Sequence, residues 1–188
     1  MSAVAQEIYE LYRELGGIRE GHYLLASGRH SPLFFQSATV MQYPKVAQRL
    51  GQLIAAQWTV PLEFVIGPAI GGIILAVTTA EALGVRALFA EKTADPQTMT
   101  IRPGLHVRPG DRFLAVEDVV TTGGSLLRAI RAAERLGAIC VGAASIIDRS
   151  GGKRSFPYPL TSLLTLEVQD FDPQDCPLCL RGEPLLKI

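Results

Sequence analysis

"RFLAVEDVVTTGGSLLRAI" (residues 112–130) is the stretch whose reading decides the fold. An apolar run, Phe113 to Val116, leads into two adjacent acids, Glu117 and Asp118. Val119 and Val120 follow, then Thr121, Thr122, Gly123, Gly124 and Ser125. Leu126, Ile130 and Ala133 then recur at helical spacing, with Arg128, Arg131 and Arg135 free to reach solvent. The pattern predicts a buried strand, a tight turn and a helix opening at Gly123 and Gly124. The first amides of such a helix lack partners and point outward, and the helix dipole adds a partial positive charge. Glycine lets a ligand approach the backbone, and the three hydroxyls can donate hydrogen bonds. The loop is therefore suited to an anion. It has no lysine, so it is not a Walker loop, and its glycine spacing is not the dinucleotide fingerprint. Carboxylates next to a phosphate would repel it unless they hold another part of the same molecule. Adjacent hydroxyls are natural donors to carboxylates. A phosphate with a diol a few ångströms away describes a ribose 5-phosphate.

The flanks predict the scaffold. "EFVIG" (63–67), "VRALFAEK" (85–92) and "AICVGAASIID" (138–148) are further apolar strands, and "GGIILAVTTAEALG" (71–84) is a nearly all-apolar helix closed by Gly84. Apolar strands alternating with helices imply an α/β fold with a parallel sheet covered on both faces. Ligands bind such sheets beyond the carboxyl ends of the strands. Gly67 to Gly72, Glu117 to Ser125 and Asp148 to Gly152 all fall there. Upstream, Val4, Ile8, Leu11 and Leu15 form a helical face that Gly16 and Gly17 terminate. "YLLAS" (23–27) and "LFFQS" (33–37) read as an antiparallel pair, and Pro44 opens a helix faced by Val46, Leu50, Leu53 and Ile54. Residues 92–110 fit neither period and read as a mobile or functional segment.

The bulk numbers bound the function. A chain of 188 residues, 48% hydrophobic, supports one domain: helix and hood over 1–43, α/β core over 44–170, tail over 171–188. Basic and acidic residues balance at 18 each, which argues against a nucleic-acid partner. No apolar run reaches membrane-span length, and the start lacks a signal peptide's basic region, so a cytoplasmic location is expected. Three cysteines do not make a disulfide framework.

"VEDVVTTGGS" (116–125) resembles the phosphoribosyl-pyrophosphate signature of type I phosphoribosyltransferases. "GHYLLASGRHSPLFFQSA" (21–38), "VIGPAIGGIILA" (65–76) and "ASIIDRSGG" (144–152) are similar to segments of the orotate phosphoribosyltransferases, in the same order. The likeness runs from about residue 15 to the "DCPLC" segment (175–179). It implies the type I phosphoribosyltransferase fold: a central, mostly parallel sheet flanked by helices, with a small N-terminal hood. It also implies Mg²⁺-dependent transfer of ribosyl 5-phosphate from phosphoribosyl pyrophosphate to orotate, by a homodimer. Carried over by motif, Glu117 and Asp118 hold the ribose hydroxyls, with Val119 and Val120 leading on to Thr121, Thr122, Gly123, Gly124 and Ser125 around the 5-phosphate. Gly71 and Gly72 approach the pyrophosphate, Arg149 meets orotate, Phe34 or Phe35 lies against the base, and Lys92 matches a basic position. A sister enzyme for another nucleobase, or a non-catalytic binder of phosphoribosyl pyrophosphate, would share these motifs.

The chain departs from that family in three places. Gly71 and Ala26 stand where lysines are common, and the closing-loop candidate, residues 92–104, has only Lys92 and Arg102 as cations. Cys176 and Cys179 have zinc-knuckle spacing, but a reduced pair or a four-sulfur site shared between two chains are both open. His22, His30 and His106 read as structural or surface residues, so no metal ligand set is assigned within the chain.

Overall fold

The computed structural model describes residues 1–25, 27–153 and 155–187. In chain order the N-terminal part holds α1 (Ala3–Glu14), β1 (Ile18–Leu24), β2 (His30–Phe35), α2 (Ser37–Met41) and α3 (Pro44–Ala55). The core follows with β3 (Phe64–Pro68), α4 (Gly71–Leu83), β4 (Arg86–Lys92), β5 (Met99–Ile101), β6 (Arg112–Val120), α5 (Gly124–Glu134), β7 (Ile139–Asp148) and β8 (Leu160–Thr165). The tail adds a 3-10 turn, the one-turn α6 (Pro177–Leu180) and β9 (Leu186–Lys187).

The apolar strands stack in the order β5-β4-β3-β6-β7-β8. All neighbours are parallel except β4 and β5. This is the α/β sheet expected from the alternation, and both faces are covered. On one face α1, α3 and α4 pack Ile8, Tyr12, Leu50, Ile54 and Leu75 against Leu114, Val116, Ile146 and Leu164. On the other, α5 packs Leu126 and Ile130 over Phe64, Ile66, Phe113 and Ala115. Phe64 and Phe113 lie stacked on adjacent strands, centroids 5.0 Å apart, and both are fully buried. Phe113→Ala would leave a void beneath α5 and cost about 3–5 kcal/mol.

Several local readings shift. The buried face of α1 runs through Ala5, Ile8 and Tyr12, with Val4, Leu11 and Leu15 at its flanks. Tyr12 wins the central place because its ring is buried while its hydroxyl donates to Ser37 Oγ at 3.0 Å. The N-terminal strands pair antiparallel as expected but earlier in the chain, Ile18 opposite Phe35 and Leu24 opposite His30. The turn explains the shift: Gly28 at φ 81° donates to the Leu25 carbonyl at 2.9 Å, and Leu25 donates to the Arg29 carbonyl, so these residues are spent on the connection. Residues 92–110 are more ordered than their pattern suggested. Met99 and Ile101 enter the core through β5, leaving residues 93–98 as a hairpin turn. The edge strand β8 went unread because "LTSLLT" carries hydroxyls where a buried strand would be apolar.

A second sheet, ordered β2-β1-β9, forms the hood. It joins two ends of the chain: Tyr23 pairs with Leu186 and Leu24 with Lys187, in parallel. His30 also forms a backbone bridge with Phe171.

Candidate functional site

β3, β6 and β7 are neighbours in the sheet, so their carboxyl ends bring three loops together. These are Gly67 to Gly72, Thr121 to Ser125, and Asp148 to Gly152; the stretches expected at that edge were the same except that the second began at Glu117, which the structure keeps within β6.

At the end of β6, Gly123 adopts φ 72°, a left-handed conformation that disfavours a side chain, and it caps α5. Thr121 and Thr122 are exposed, and Gly124 and Ser125 half-buried, so the helix start opens to solvent. Val119 is half-buried against one core face, and Val120 is fully buried in the other. Arg128 is not turned to solvent as the helical pattern suggested. It lies one turn into α5 and folds back over the loop, Nη2 donating to Ser125 Oγ at 3.2 Å. A Cβ on Gly124 would meet its Nη1 at 3.3 Å, and its Nε is buried without a partner. The signal in the sequence was the i, i+3 spacing from Ser125, which places both on one helix face.

Glu117 and Asp118 are the last polar residues within β6, so they turn to opposite faces of the sheet. Glu117 faces the start of α5. Burial, reinforced by the charge of Asp118, pushes its carboxyl up to about 8, with the Leu126 amide and Arg128 acting the other way. Asp118 faces Gly71, Ser37 and Tyr12. Burial raises its carboxyl too, and the Ser37 hydroxyl opposes the rise. Ser37 is therefore a support that the sequence did not announce. It is buried, receives the Tyr12 hydroxyl and sits beside Asp118. Hydroxyl donors or a cation placed beside these two acids would favour their ionised forms against burial.

The glycines of the β3–α4 loop are needed for space. A Cβ on Gly67 would lie 2.3 Å from the Gly72 carbonyl oxygen, and one on Gly72 3.1 Å from the Val116 carbonyl oxygen. A Cβ on Gly71 would fall 2.8 Å from Asp118 Oδ1. The loop is thus pressed against the acid pair on the side away from α5. Two loops, one at each helix start, flank the carboxylates, exposed at Ile70 and Gly71 in one and at Thr121 and Thr122 in the other.

Arg149, the residue after β7, is buried. Its Nη2 donates to Asp170 Oδ1 at 2.9 Å and to Ser31 Oγ at 3.0 Å, so an ion pair does hold it. Its guanidinium also lies 5.0 Å from the centroid of Phe35, and its Nε is buried with no partner. Burial lowers its affinity for a proton, opposed by Asp170. Phe34 turns to the other side of β2, against Tyr23 at 5.4 Å. Only Phe35 shares Arg149's surroundings, as strand alternation requires.

Lys92 is exposed at the end of β4, opposite Met99. Arg102 is engaged elsewhere, its Nη2 bonded to Glu91 Oε1 at 2.6 Å. Ala26 lies outside the described residues. His106 is on the surface as expected, but His22 and His30 are buried and face Cys176 and Cys179. No helix among the described residues is long and apolar enough to cross a membrane.

The chain is similar over most of its length to known proteins. Residues 43–175 match the family model described as phosphoribosyl transferase domain. Over 183 residues the chain is 51% identical to the orotate phosphoribosyltransferase of Thermus thermophilus, covering 97% of this chain and all of that protein. It is 42% identical to the orotate phosphoribosyltransferase of Caldanaerobacter subterraneus, covering 97% of this chain and 95% of that one. Among solved structures it resembles the Mycobacterium tuberculosis orotate phosphoribosyltransferase in complex with inorganic phosphate. The TM-score is 0.68 and the identity 27%, over 88% of this chain and 97% of the other. The chain belongs to the phosphoribosyltransferase family and, within it, to the orotate phosphoribosyltransferases.

Proposed function

We propose that this chain transfers ribosyl 5-phosphate from phosphoribosyl pyrophosphate to orotate, yielding orotidine 5'-phosphate and pyrophosphate. One observation carries the assignment of roles: Glu117 and Asp118 stand between two glycine-rich loops, one at the start of α5 and one pressed on Asp118 at the start of α4. Phosphoribosyl pyrophosphate has the matching order of parts, a phosphate, a diol and a pyrophosphate. Thr121 to Ser125, with Arg128, take the 5-phosphate. The acids accept hydrogen bonds from the ribose hydroxyls. Gly67 to Gly72 offer backbone to the pyrophosphate.

Orotate fits the third loop. Its carboxylate is a partner for Arg149, whose unpaired Nε is a donor still to be satisfied. Phe35 offers a face for the pyrimidine ring. In the transfer, the anomeric C–O bond to pyrophosphate breaks and its electron pair leaves with pyrophosphate. The ring nitrogen of orotate forms the new bond, and its proton passes to the departing pyrophosphate, directly or through water. Positive charge grows on the sugar between the two acids, which stabilise it without covalent attack. Exclusion of water would protect the sugar cation, and we assign that closing role to the turn at residues 93–98, beside exposed Lys92.

The oxygen donors of Asp118 and Glu117 suit Mg²⁺, a hard cation that keeps several waters and shares substrate oxygens. Bound there, it would neutralise the leaving pyrophosphate. Ile70, Ile74 and Val77, exposed along the start of α4, offer an apolar face that a second copy would cover in a homodimer. A cytoplasmic location accords with the demand for these metabolites.

The test is the loss of orotate absorbance with protein, Mg²⁺ and phosphoribosyl pyrophosphate, with uracil and purine bases in parallel. Turnover with orotate alone is expected. Turnover with another base would reassign the site, and binding of phosphoribosyl pyrophosphate without any turnover would make the chain a sensor.

A further inference from the structure

The hood and the tail meet at four side chains that the transfer reaction does not use. His22 lies on β1, His30 on β2, Cys176 just before α6 and Cys179 within it. Their ligand atoms all lie within 4.8 Å of one another. His22 Nε2 is 2.9 Å from His30 Nδ1, 3.6 Å from Cys176 Sγ and 3.7 Å from Cys179 Sγ, and Cys179 Sγ is 3.3 Å from His30 Nδ1. A tetrahedral zinc ion, about 2.1 Å from nitrogen and about 2.3 Å from sulfur, holds its ligand atoms about 3.4–3.8 Å apart. The cluster is already near that spacing.

We propose that His22, His30, Cys176 and Cys179 form a structural zinc site within one chain, clasping the tail to the hood. Three observations favour an ion over a plain polar cluster. The first is the orientation of His22. Its Nδ1 lies 2.9 Å from the Glu183 carbonyl oxygen, which can only accept, so Nδ1 carries the proton and Nε2 presents its lone pair to the cluster. Metal-bound histidines are fixed in this way. The second is stoichiometry: one lone pair on Nε2 cannot serve three neighbours at hydrogen-bond range, whereas one cation can serve four ligands. The third is burial. His22, His30 and Cys176 are buried and only Cys179 is exposed, which suits a closed structural site. Two thiolates and two imidazoles select zinc over the hard Mg²⁺ of the substrate.

The clasp also has a positioning consequence. His30 is bonded through its backbone to Phe171, at 2.9 Å and 2.8 Å in the two directions. The neighbours of that pair, Ser31 and Asp170, are the two residues that hold Arg149. Zinc therefore holds the frame in which Arg149 stands.

The experiment is metal analysis of untagged, fully reduced protein purified without chelators, followed by replacement with Co²⁺. One zinc per chain is expected. The cobalt form should show the intense visible bands of tetrahedral coordination and the near-ultraviolet thiolate charge-transfer band, neither of which an octahedral ion at the substrate site produces. His22→Gln and Cys179→Ser should each lose the cobalt signature. Cys179 is exposed, so that variant keeps its fold, and its KM for orotate should rise with little change for phosphoribosyl pyrophosphate. Reduced wild-type protein that binds neither Zn²⁺ nor Co²⁺ at equimolar concentration would overturn the proposal. So would half an ion per chain with the signature retained in His22→Gln, which would mean a four-sulfur site shared between chains.

Discussion

The end of β6 and the junction of hood and tail are both polar constellations, yet they are built in opposite ways. The first draws Glu117, Asp118 and Thr121 to Ser125 from nine consecutive residues and relies largely on backbone geometry: a strand end, a left-handed glycine and a helix start. The second draws His22, His30, Ser31, Arg149, Asp170, Cys176 and Cys179 from segments far apart and relies on side chains meeting in space. A local constellation survives changes elsewhere as long as its strand and helix form. A convergent one depends on every segment that feeds it. The charges differ as well. The local site holds two acids whose carboxyls burial pushes up, while the convergent site pairs Arg149 with Asp170.

The largest expected effect tests the local site. Asp118→Asn should lower turnover by roughly 100-fold or more, the scale of losing a charge that stabilises a transition state. Its melting temperature should not fall. Equal turnover in wild type and variant would remove the acids from the chemistry and leave the contrast without its functional half.

The convergent site is tested next. Arg149→Ala should weaken orotate binding and cost about 3 kcal/mol of stability, because Asp170 is left half-buried and unpaired. Removing both partners, with Asp170→Ala added, should restore much of the stability and none of the orotate affinity. Recovery of both would make Arg149 a structural ion pair alone.

The third prediction concerns pH. The Glu117 carboxyl stands at about 8 in the folded chain and 4.5 is its ordinary value. Between those values the folded chain holds a proton that the unfolded chain has released. Stability from this group is present below pH 4.5 and is lost as pH rises through about 8. Thermal denaturation of ligand-free protein should show this decline, and Glu117→Gln should flatten it by about 2 kcal/mol between about pH 6 and 8. A variant with the wild-type slope would place the proton elsewhere.

The smallest effect belongs to Arg128. Arg128→Gln should weaken inorganic phosphate binding about tenfold, the value of one charge-assisted hydrogen bond, with stability nearly unchanged. Isothermal calorimetry reads this directly. An unchanged affinity would return Arg128 to a purely local role beside Ser125.

What could be read from the chain alone follows the same division. The parallel sheet was legible because apolar runs and glycine-ended helices repeat a local pattern, and the acid pair with its anion loop was legible because ten adjacent residues contain it. Gly71 and Gly72 were legible as a loop, but their reason, the backbone of Gly67 and the carboxylate of Asp118, is a contact across the sheet. Tyr12 and Ser37 carried no signal, since nothing local says that a helix near the start will rest beside β6. Arg128 was misjudged because helical periodicity gives a direction and not what waits there. His22 and His30 were read as structural or surface residues, and their meeting with the cysteines was hidden for the same reason. Positions 22, 30, 176 and 179 have no common spacing in sequence, and only β-pairing between β1, β2 and the tail brings them together. Local patterns determine strands, turns and helix starts because they are properties of the backbone within a few residues. Convergence of distant side chains is decided by packing, and packing exists only in the folded chain.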